Sequence, residues 1–550
     1  MGYPTKVQLI QRQGSQQWYI NFPAPIAQAM EFAKGEVVEW VIHDRRTLLL
    51  HRTEVRQDKK NDSLLDAFLD LWEQDMDVFA QHRTWERAAR LGLSQLACLG
   101  PHTVTGLLWT AGRTDVDWSA DYRLFSQDRW DAQRLFDSVA RGVLDFLGDD
   151  QPLVCALDDT LLRKSGPRIA DVAYRRDPLS PPFHVNFVRG QRFLQIAAML
   201  PARAAGPCGG RGIPVRFQPA PPLPKPSARS SEAERIETTR LRRFYNLSTM
   251  GRDAIAATRQ QLDRQPGGPE RTLVMAVDGS YTNQTVLRHL PPRTVLIGRI
   301  RKDAKFFAPP QPAAGDSPAS PGRPRRYGEA LPTPEALRKD ESMPWQTVSA
   351  FATGQVHAFR IKTLAPALWP KAGADRPLRL IVIAPVCYRL RKGSRLLYRQ
   401  PAFLICTDPD MPLEQVLQDY LWRWQIELDH RDEKQLIGVG QAQVRNRDAA
   451  RREPAFAVAC YAKLLLAGAK VYGRDATRAD LPLPKWRTHV DATRVTTADL
   501  LRQLRQELWH LARQAARPHL PHFVTASQPT TKCLKFELSL ADAVNHAATG

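Results

Sequence analysis

QPLVCALDDT, residues 151–160, is a short apolar run that ends in two carboxylates. It reads as a buried strand followed at once by acid. Packing does not explain a carboxylate in that place, because desolvating one is costly unless it is paired or metal-bound. RTLVMAVDGSYTN (271–283) repeats the pattern, an apolar strand closed by Asp278. Side chains alternate along a strand, so only one of Asp158 and Asp159 can share a face with Asp278, and the pattern leaves both open.

Outward from these two stretches the chain reads as an α/β layer fold. FHVNFV and QRFLQIAAMLPA are strand-like, and 201–228, rich in Pro, Gly and Arg, reads as a surface loop. A long helical segment covers about 230–264, and TVLIGRIRKD follows as a further strand. Residues 301–412 open on a Pro-rich basic segment and continue as β-like runs, which predicts a β-rich insertion. Upstream, 63–148 shows apolar residues at three- and four-residue spacing and predicts a helical domain.

After the insertion comes YLWRWQIELDHRDEK (420–434), placed on a helix that begins near Leu413 and breaks at Gly438. At about 100° per residue, Tyr420, Arg423, Glu427 and Lys434 share one sector of about 60°, with Trp424 alongside. Such a face suits phosphates and bases beside a metal carboxylate. A solvated face with an Arg423–Glu427 ion pair satisfies the same spacing. Asp158, Asp278 and Glu427 together supply oxygen ligands of the kind Mg²⁺ or Mn²⁺ prefers, and two ions roughly 4 Å apart could serve a phosphodiester.

Composition bounds the partners. The 550 residues carry 78 Lys and Arg against 57 Asp and Glu, a net charge of +21. That excess favours nucleic acid over a membrane surface. Seven scattered cysteines form no CxxC pair, which excludes a zinc ribbon and fits a reducing cytoplasm. No signal-like segment and no apolar run of about 18 residues is evident, so membrane insertion is not expected. The histidines show no ligand spacing, and His184 and His430 read as surface or structural residues. No GxSxG is present, and Cys155 reads as a small buried strand residue. In the basic helix 497–516, Arg502, Arg505 and Arg513 are solvated or DNA-facing.

Y-x₂-R-x₃-E-x₆-K, here Tyr420, Arg423, Glu427 and Lys434, resembles the YREK motif of bacterial insertion-sequence transposases with an RNase H-like DDE domain. LDDT and AVDGS resemble that family's first and second Asp segments, and Trp424 matches its frequent RW pair. GRPRRYGE (322–329) resembles a basic element of related transposases and nominates Arg323, Arg325 and Arg326 for DNA contact. The resemblance favours Asp158 over Asp159. It implies metal ligation by Asp158, Asp278 and Glu427, and phosphate contacts from Tyr420, Arg423 and Lys434. Trp424 would support stacking or distortion of the transposon end.

Residues 5–52 alternate as strands around the short helical piece IAQAMEF and resemble the AbrB/MazE-type swapped-hairpin module, which binds DNA as a dimer. Lys6, Arg12, Arg45 and Arg46 are its loose DNA-contact candidates.

The expected architecture is therefore a multi-domain α/β protein. A DNA-binding or dimerisation module (1–54) and a helical domain (63–148) precede an RNase H-like core (150–300). The β-rich insertion (301–412) interrupts that core, which resumes with the catalytic Glu helix (413–470), and a basic, helical C-terminal region (471–550) follows. The function implied is a cut-and-paste DNA transposase that binds double-stranded transposon ends and target DNA. It would act in the bacterial cytoplasm as a synaptic homodimer. An AbrB-type regulator with a vestigial nuclease domain, or an RNase H-like nuclease without strand transfer, are the competing expectations.

Overall fold

The computed structural model describes residues 63–515 apart from 178–179, 182, 224–225, 311–324, 390, 392 and 483–492, together with four short strands nearer the N-terminus. Those strands form two antiparallel hairpins, β1 (Val7–Arg12) with β2 (Ser15–Ile20), and β3 (Val38–Ile42) with β4 (Leu48–Arg52). They belong to a compact unit, Met1–Asp62, separate from the unit Ser63–Gly550. The IAQAMEF segment, Lys6, Arg45, Arg46 and Arg323 lie outside the described residues.

The second unit begins with helices α1 (Leu64–Glu73), α2 (His82–Ala97), α3 (Val104–Thr110), α4 (Ser119–Ser126) and α5 (Asp137–Leu144). Ser63 starts the first by accepting a bond from the Asp66 amide, which satisfies one orphan donor. A large sheet follows, with strands β5 (Leu153–Arg163), β6 (Ala173–Arg176), β7 (Phe187–Pro201) and β8 (Gly210–Pro219). Helices α6 (Glu232–Arg242) and α7 (Leu247–Asp263) lead to β9 (Leu273–Val277). A short helix α8 (Gln284–Leu287) and β10 (Thr294–Arg299) come next.

The core order is β8-β7-β5-β9-β10, with β5, β9 and β10 parallel and β7 antiparallel to both its neighbours. This mixed α/β sheet is consistent with an RNase H-like DDE domain. β8 departs from the expected loop at 201–228. Its Ile213, Val215 and Phe217 alternate inward and are buried, a signal hidden by the surrounding Pro, Gly and Arg. Pro214, which cannot donate to a ladder, falls where the β7–β8 register shifts between Ile196 and Ala197. The helical segment near 230–264 is likewise two helices, because Asn246 caps α7 by accepting from the Thr249 amide at 3.0 Å.

The β-rich segment 301–412 extends the same sheet. It contains α9 (Pro334–Lys339), β11 (Gln346–Ala352), β12 (Gln355–Leu368) and β13 (Pro377–Ile383). A two-stranded ribbon, β14 (Cys387–Tyr388) with β15 (Leu397–Tyr398), and β16 (Ala402–Cys406) complete it. β16 pairs with both β10 and β13, so the sheet runs on from the core through β16 to β13, β12 and β11.

Helices α10 (Leu413–Trp422), α11 (Gln425–Gln435), α12 (Arg447–Tyr472) and α13 (Thr497–Ala515) close the unit. α12 is the hub, buried almost throughout from Ala449 to Ala469. Its Phe456 ring meets Trp72 at 5.7 Å, Phe125 at 5.3 Å and Trp130 at 6.2 Å, clamping the helical segment onto the sheet. Pro454 within α12 cannot donate to the Ala450 carbonyl; Gln191 of β7 does so instead, at 3.3 Å. By length and mean hydropathy this helix is apolar enough to cross a membrane, although Glu453, Lys463 and Lys470 keep it from being an unbroken apolar run. Its most apolar window is 83% buried inside the unit, so core packing accounts for the composition.

Candidate active site

Leu157 and Val277 are the last partners of the parallel β5–β9 ladder, so Asp158 and Asp278 occupy the next positions on adjacent strands. β5 itself does not stop there; it continues to Arg163 paired with β7 alone. Asp158 shares strand parity with Val154 and Ala156, which pack in a cluster containing Val416, Leu417 and Ile426 of α10 and α11. It therefore faces those two helices. Asp159 has the opposite parity: its carboxylate accepts from the Tyr281 hydroxyl at 3.1 Å and pairs with Arg192 Nε at 3.1 Å.

Asp278 is fixed by its own loop. One oxygen accepts from the Ser280 amide at 2.9 Å and the other from the Ser280 hydroxyl at 3.1 Å. Thr282 Oγ1 donates to the Asp278 carbonyl at 2.8 Å, closing the turn that starts the loop.

Glu427 comes from α11, and Arg423 links it to the strand. Arg423 Nη1 lies 3.3 Å from Asp158 Oδ2 and Nη2 lies 3.3 Å from Glu427 Oε1. The same guanidinium stands 6.0 Å from the Tyr420 ring centroid. The expected single helix is in fact two. Between them Arg423 and Trp424 form a tight turn, with i→i−3 bonds from the amides of Arg423, Trp424, Ile426 and Glu427. Trp424 is 57% exposed.

Burial pushes the Asp158 carboxyl up to about 7; the charges of Asp278 and Asp159 push the same way, while the Asp159 amide and Arg423 oppose. Burial also raises Glu427, against the pull of Arg423 and with a further push from Asp278. A cation would relieve this mutual repulsion, and three carboxylates are the donor set that Mg²⁺ or Mn²⁺ prefers. The donor chemistry thus fits a divalent metal. Among the described residues, however, no three His, Cys, Asp or Glu side chains are gathered tightly enough to hold an ion, and Arg423 bridges two of the three acids.

Lys434 stands further along α11. It is exposed, two turns beyond Glu427, and the charges it feels are those of Glu433, Arg163 and Asp159. Seven residues of helix set it about 10 Å along the axis from Glu427. Arg325 is exposed, and Arg326 makes a two-pronged pair with Asp375 at 2.7 and 2.6 Å.

The sequence reading missed what lies under α11. The buried positions of this helix are Ile426, Asp429, His430 and Glu433, so three of the four are ionisable. Burial holds Asp429 near 7, with the Tyr461 hydroxyl donating to it at 3.0 Å, and drives Glu433 well above the usual carboxylate range. Burial pushes His430 down to about 3, so it is neutral and structural. The i, i+3, i+4, i+7 spacing of these four was the available signal, masked because none but Ile426 is apolar. His184 is exposed and Cys155 is fully buried in β5, as read from the sequence.

No curated protein matches the chain. A family model described as DDE superfamily endonuclease matches residues 76–364, more than half of the chain, a span that holds Asp158 and Asp278 and ends before Glu427. With two acids side by side just past the end of the β5–β9 ladder of a mixed sheet and that match, the chain belongs to the DDE superfamily of endonucleases.

Proposed function

We propose that this endonuclease is a cut-and-paste DNA transposase with Asp158, Asp278 and Glu427 as its metal-binding acids. One observation carries the reading: the Arg423 guanidinium ties Glu427 to Asp158, while Asp158 and Asp278 lie side by side at the end of the β5–β9 ladder. Bound at these acids, one or two Mg²⁺ or Mn²⁺ ions would activate the attacking oxygen and stabilise the leaving one. Water adds to the phosphorus at the element's end, the bond to the 3′ oxygen breaks, and that oxygen leaves with a proton as a 3′-OH. The 3′-OH then attacks a target phosphodiester and releases a target 3′-OH.

Arg423 matches a phosphate with two parallel donors once DNA replaces its carboxylate partners. Tyr420 stacks beside it, and Trp424 offers an exposed ring to a distorted end. Lys434, Arg323, Arg325 and Arg326 are assigned to backbone contacts, Arg326 by exchanging Asp375 for phosphate. Synapsis of two ends calls for two copies, and the AbrB-like N-terminal unit is the proposed source of dimer contacts.

The test uses the full chain, a labelled duplex carrying the element's end, and Mg²⁺. Glu427→Gln is expected to abolish cleavage and leave end binding intact; retained cleavage overturns the assignment. Wild-type protein that cuts but joins no end to a target plasmid is a nuclease without strand transfer.

A further inference from the structure

β6 and the start of β7 project past the catalytic end of the sheet, and their exposed face is not built like a protein interior. Tyr174 is 73% exposed, Phe187 67%, and Phe183, between the two strands, 90%. Large rings left in water on an edge strand are uncommon and mark a binding surface. The register sets Tyr174 opposite Arg189 and Arg176 opposite Phe187, an alternation of ring and guanidinium on one face. Arg189 is spent internally, donating to the carbonyls of Gly166 at 2.7 Å and Pro167 at 3.2 Å. Arg176 is exposed, as are Arg163 and Arg168 nearby.

Charge is one-sided as well. From Arg163 to Arg192 the sequence carries seven Arg or Lys against two Asp. Both acids are already matched, Asp177 by Arg163 at 3.1 Å and Asp171 by Arg451 at 2.5 Å. The opposite face of the hairpin is anchored on the far side of β5 from Asp158, where Arg192 pairs with Asp159 and Arg175 lies within reach of both charges. Lys434 of α11 feels Arg163, so basic groups run from the catalytic helix to the hairpin.

We infer that the β6–β7 hairpin is a stacking platform for unpaired bases of a DNA strand leaving the active site, with Tyr174 and Phe187 as the stacking rings and Arg176 as the phosphate contact. The inference rests on the DNA-acting reading above and adds a second contact region to it. Rings interleaved with Arg are how single strands are held without sequence preference, whereas paired duplex offers such rings no base face. Gln195 stands opposite Asp158, and from it to Phe187 the strand rises about 26 Å, the length of roughly seven or eight stacked nucleotides. A second copy adding to the β6 edge is the competing occupant. It is disfavoured because Arg175 and Arg176 would meet their own kind there.

The experiment measures, without metal, binding of full-length protein to a labelled dT₂₀ strand and to a 20-bp duplex. Tyr174→Ala with Phe187→Ala is expected to weaken dT₂₀ binding about tenfold or more and to change duplex binding less than about twofold. Phe187→Trp with Tyr174→Phe is expected to retain wild-type binding. Arg176→Ala should flatten the salt dependence for dT₂₀ by about one unit of slope. Unchanged dT₂₀ affinity in the double alanine variant, with wild-type duplex binding and melting, overturns the inference alone. A change of oligomeric state in that variant without DNA overturns it in favour of a protein interface. Wild-type protein that binds neither DNA overturns the transposase reading with it.

Discussion

The Arg423 guanidinium lies 3.3 Å from the Asp158 carboxylate, a contact between residues 265 positions apart in the chain. It joins the end of the central ladder to the turn between α10 and α11, and so brings Glu427 to the aspartates. Because the contact depends on strand parity, Asp158 and Asp159 should differ sharply when neutralised. Asp159→Asn disturbs the Tyr281 and Arg192 partners while leaving the Arg423 bridge in place, and a loss of roughly 10–100-fold in cleavage is expected. Asp158→Asn should lose more than that at unchanged DNA affinity. Single-turnover cleavage with both variants checks the order, and the reverse order would make Asp159 the first acid.

Asp419 predicts a pH dependence of stability. It is 2% exposed on α10, where its Oδ2 has no hydrogen-bond partner, and burial pushes it up to about 8. A carboxyl whose folded value is raised binds more protons in the folded than in the unfolded chain. Its contribution is therefore fully present below the ordinary carboxylate value and is lost as pH rises through about 8. Asp419→Asn should melt higher than wild type at pH 9, with the difference shrinking towards pH 4. A difference that is flat with pH, read by calorimetry, would show that Asp419 is not the titrating group.

Lys463 and Asp75 form an ion pair inside the protein, with Lys463 Nζ also donating to the Leu71 carbonyl at 3.1 Å and to Ser138 Oγ at 2.8 Å. The pair bolts α12 to α1 and α5. Lys463→Met leaves Asp75 buried without a counter-charge, and a loss of about 3–5 kcal/mol is expected. Lys463→Met with Asp75→Leu should recover most of it. Urea unfolding of the two variants checks the non-additivity.

Gly251 on α7 is where the helix approaches Tyr281. A Cβ there would stand 2.5 Å from Tyr281 Cδ1, so Gly251→Ala must push the ring away and strain its bond to Asp159. A destabilisation of about 1–3 kcal/mol is expected, with cleavage reduced beyond what the folded fraction explains. Gly251→Ala combined with Tyr281→Leu should regain stability without regaining full activity.

Two aspartates that each follow an apolar run, a helix carrying Glu427, and the nearness of Arg423 to Tyr420 and Glu427 are legible in the sequence alone. Those signals are local: an apolar run ended by acid, and a period of about 3.6 residues. Other features needed the tertiary structure. The β8 segment reads as a loop because its three inward residues sit among Pro, Gly and Arg, and only pairing with β7 shows which of them are buried. Residues 301–412 read as an insertion because a sequence does not show which strands pair, and β16 joins them to β10 of the core. Which aspartate Arg423 ties to Glu427 follows from α10 and α11 packing on one face of β5, since two neighbouring acids on a strand are equivalent until one face is covered. The buried Asp429, His430 and Glu433 were invisible for a related reason. A charged side chain reads as solvated until the fold surrounds it, and burial, not residue type, sets its protonation.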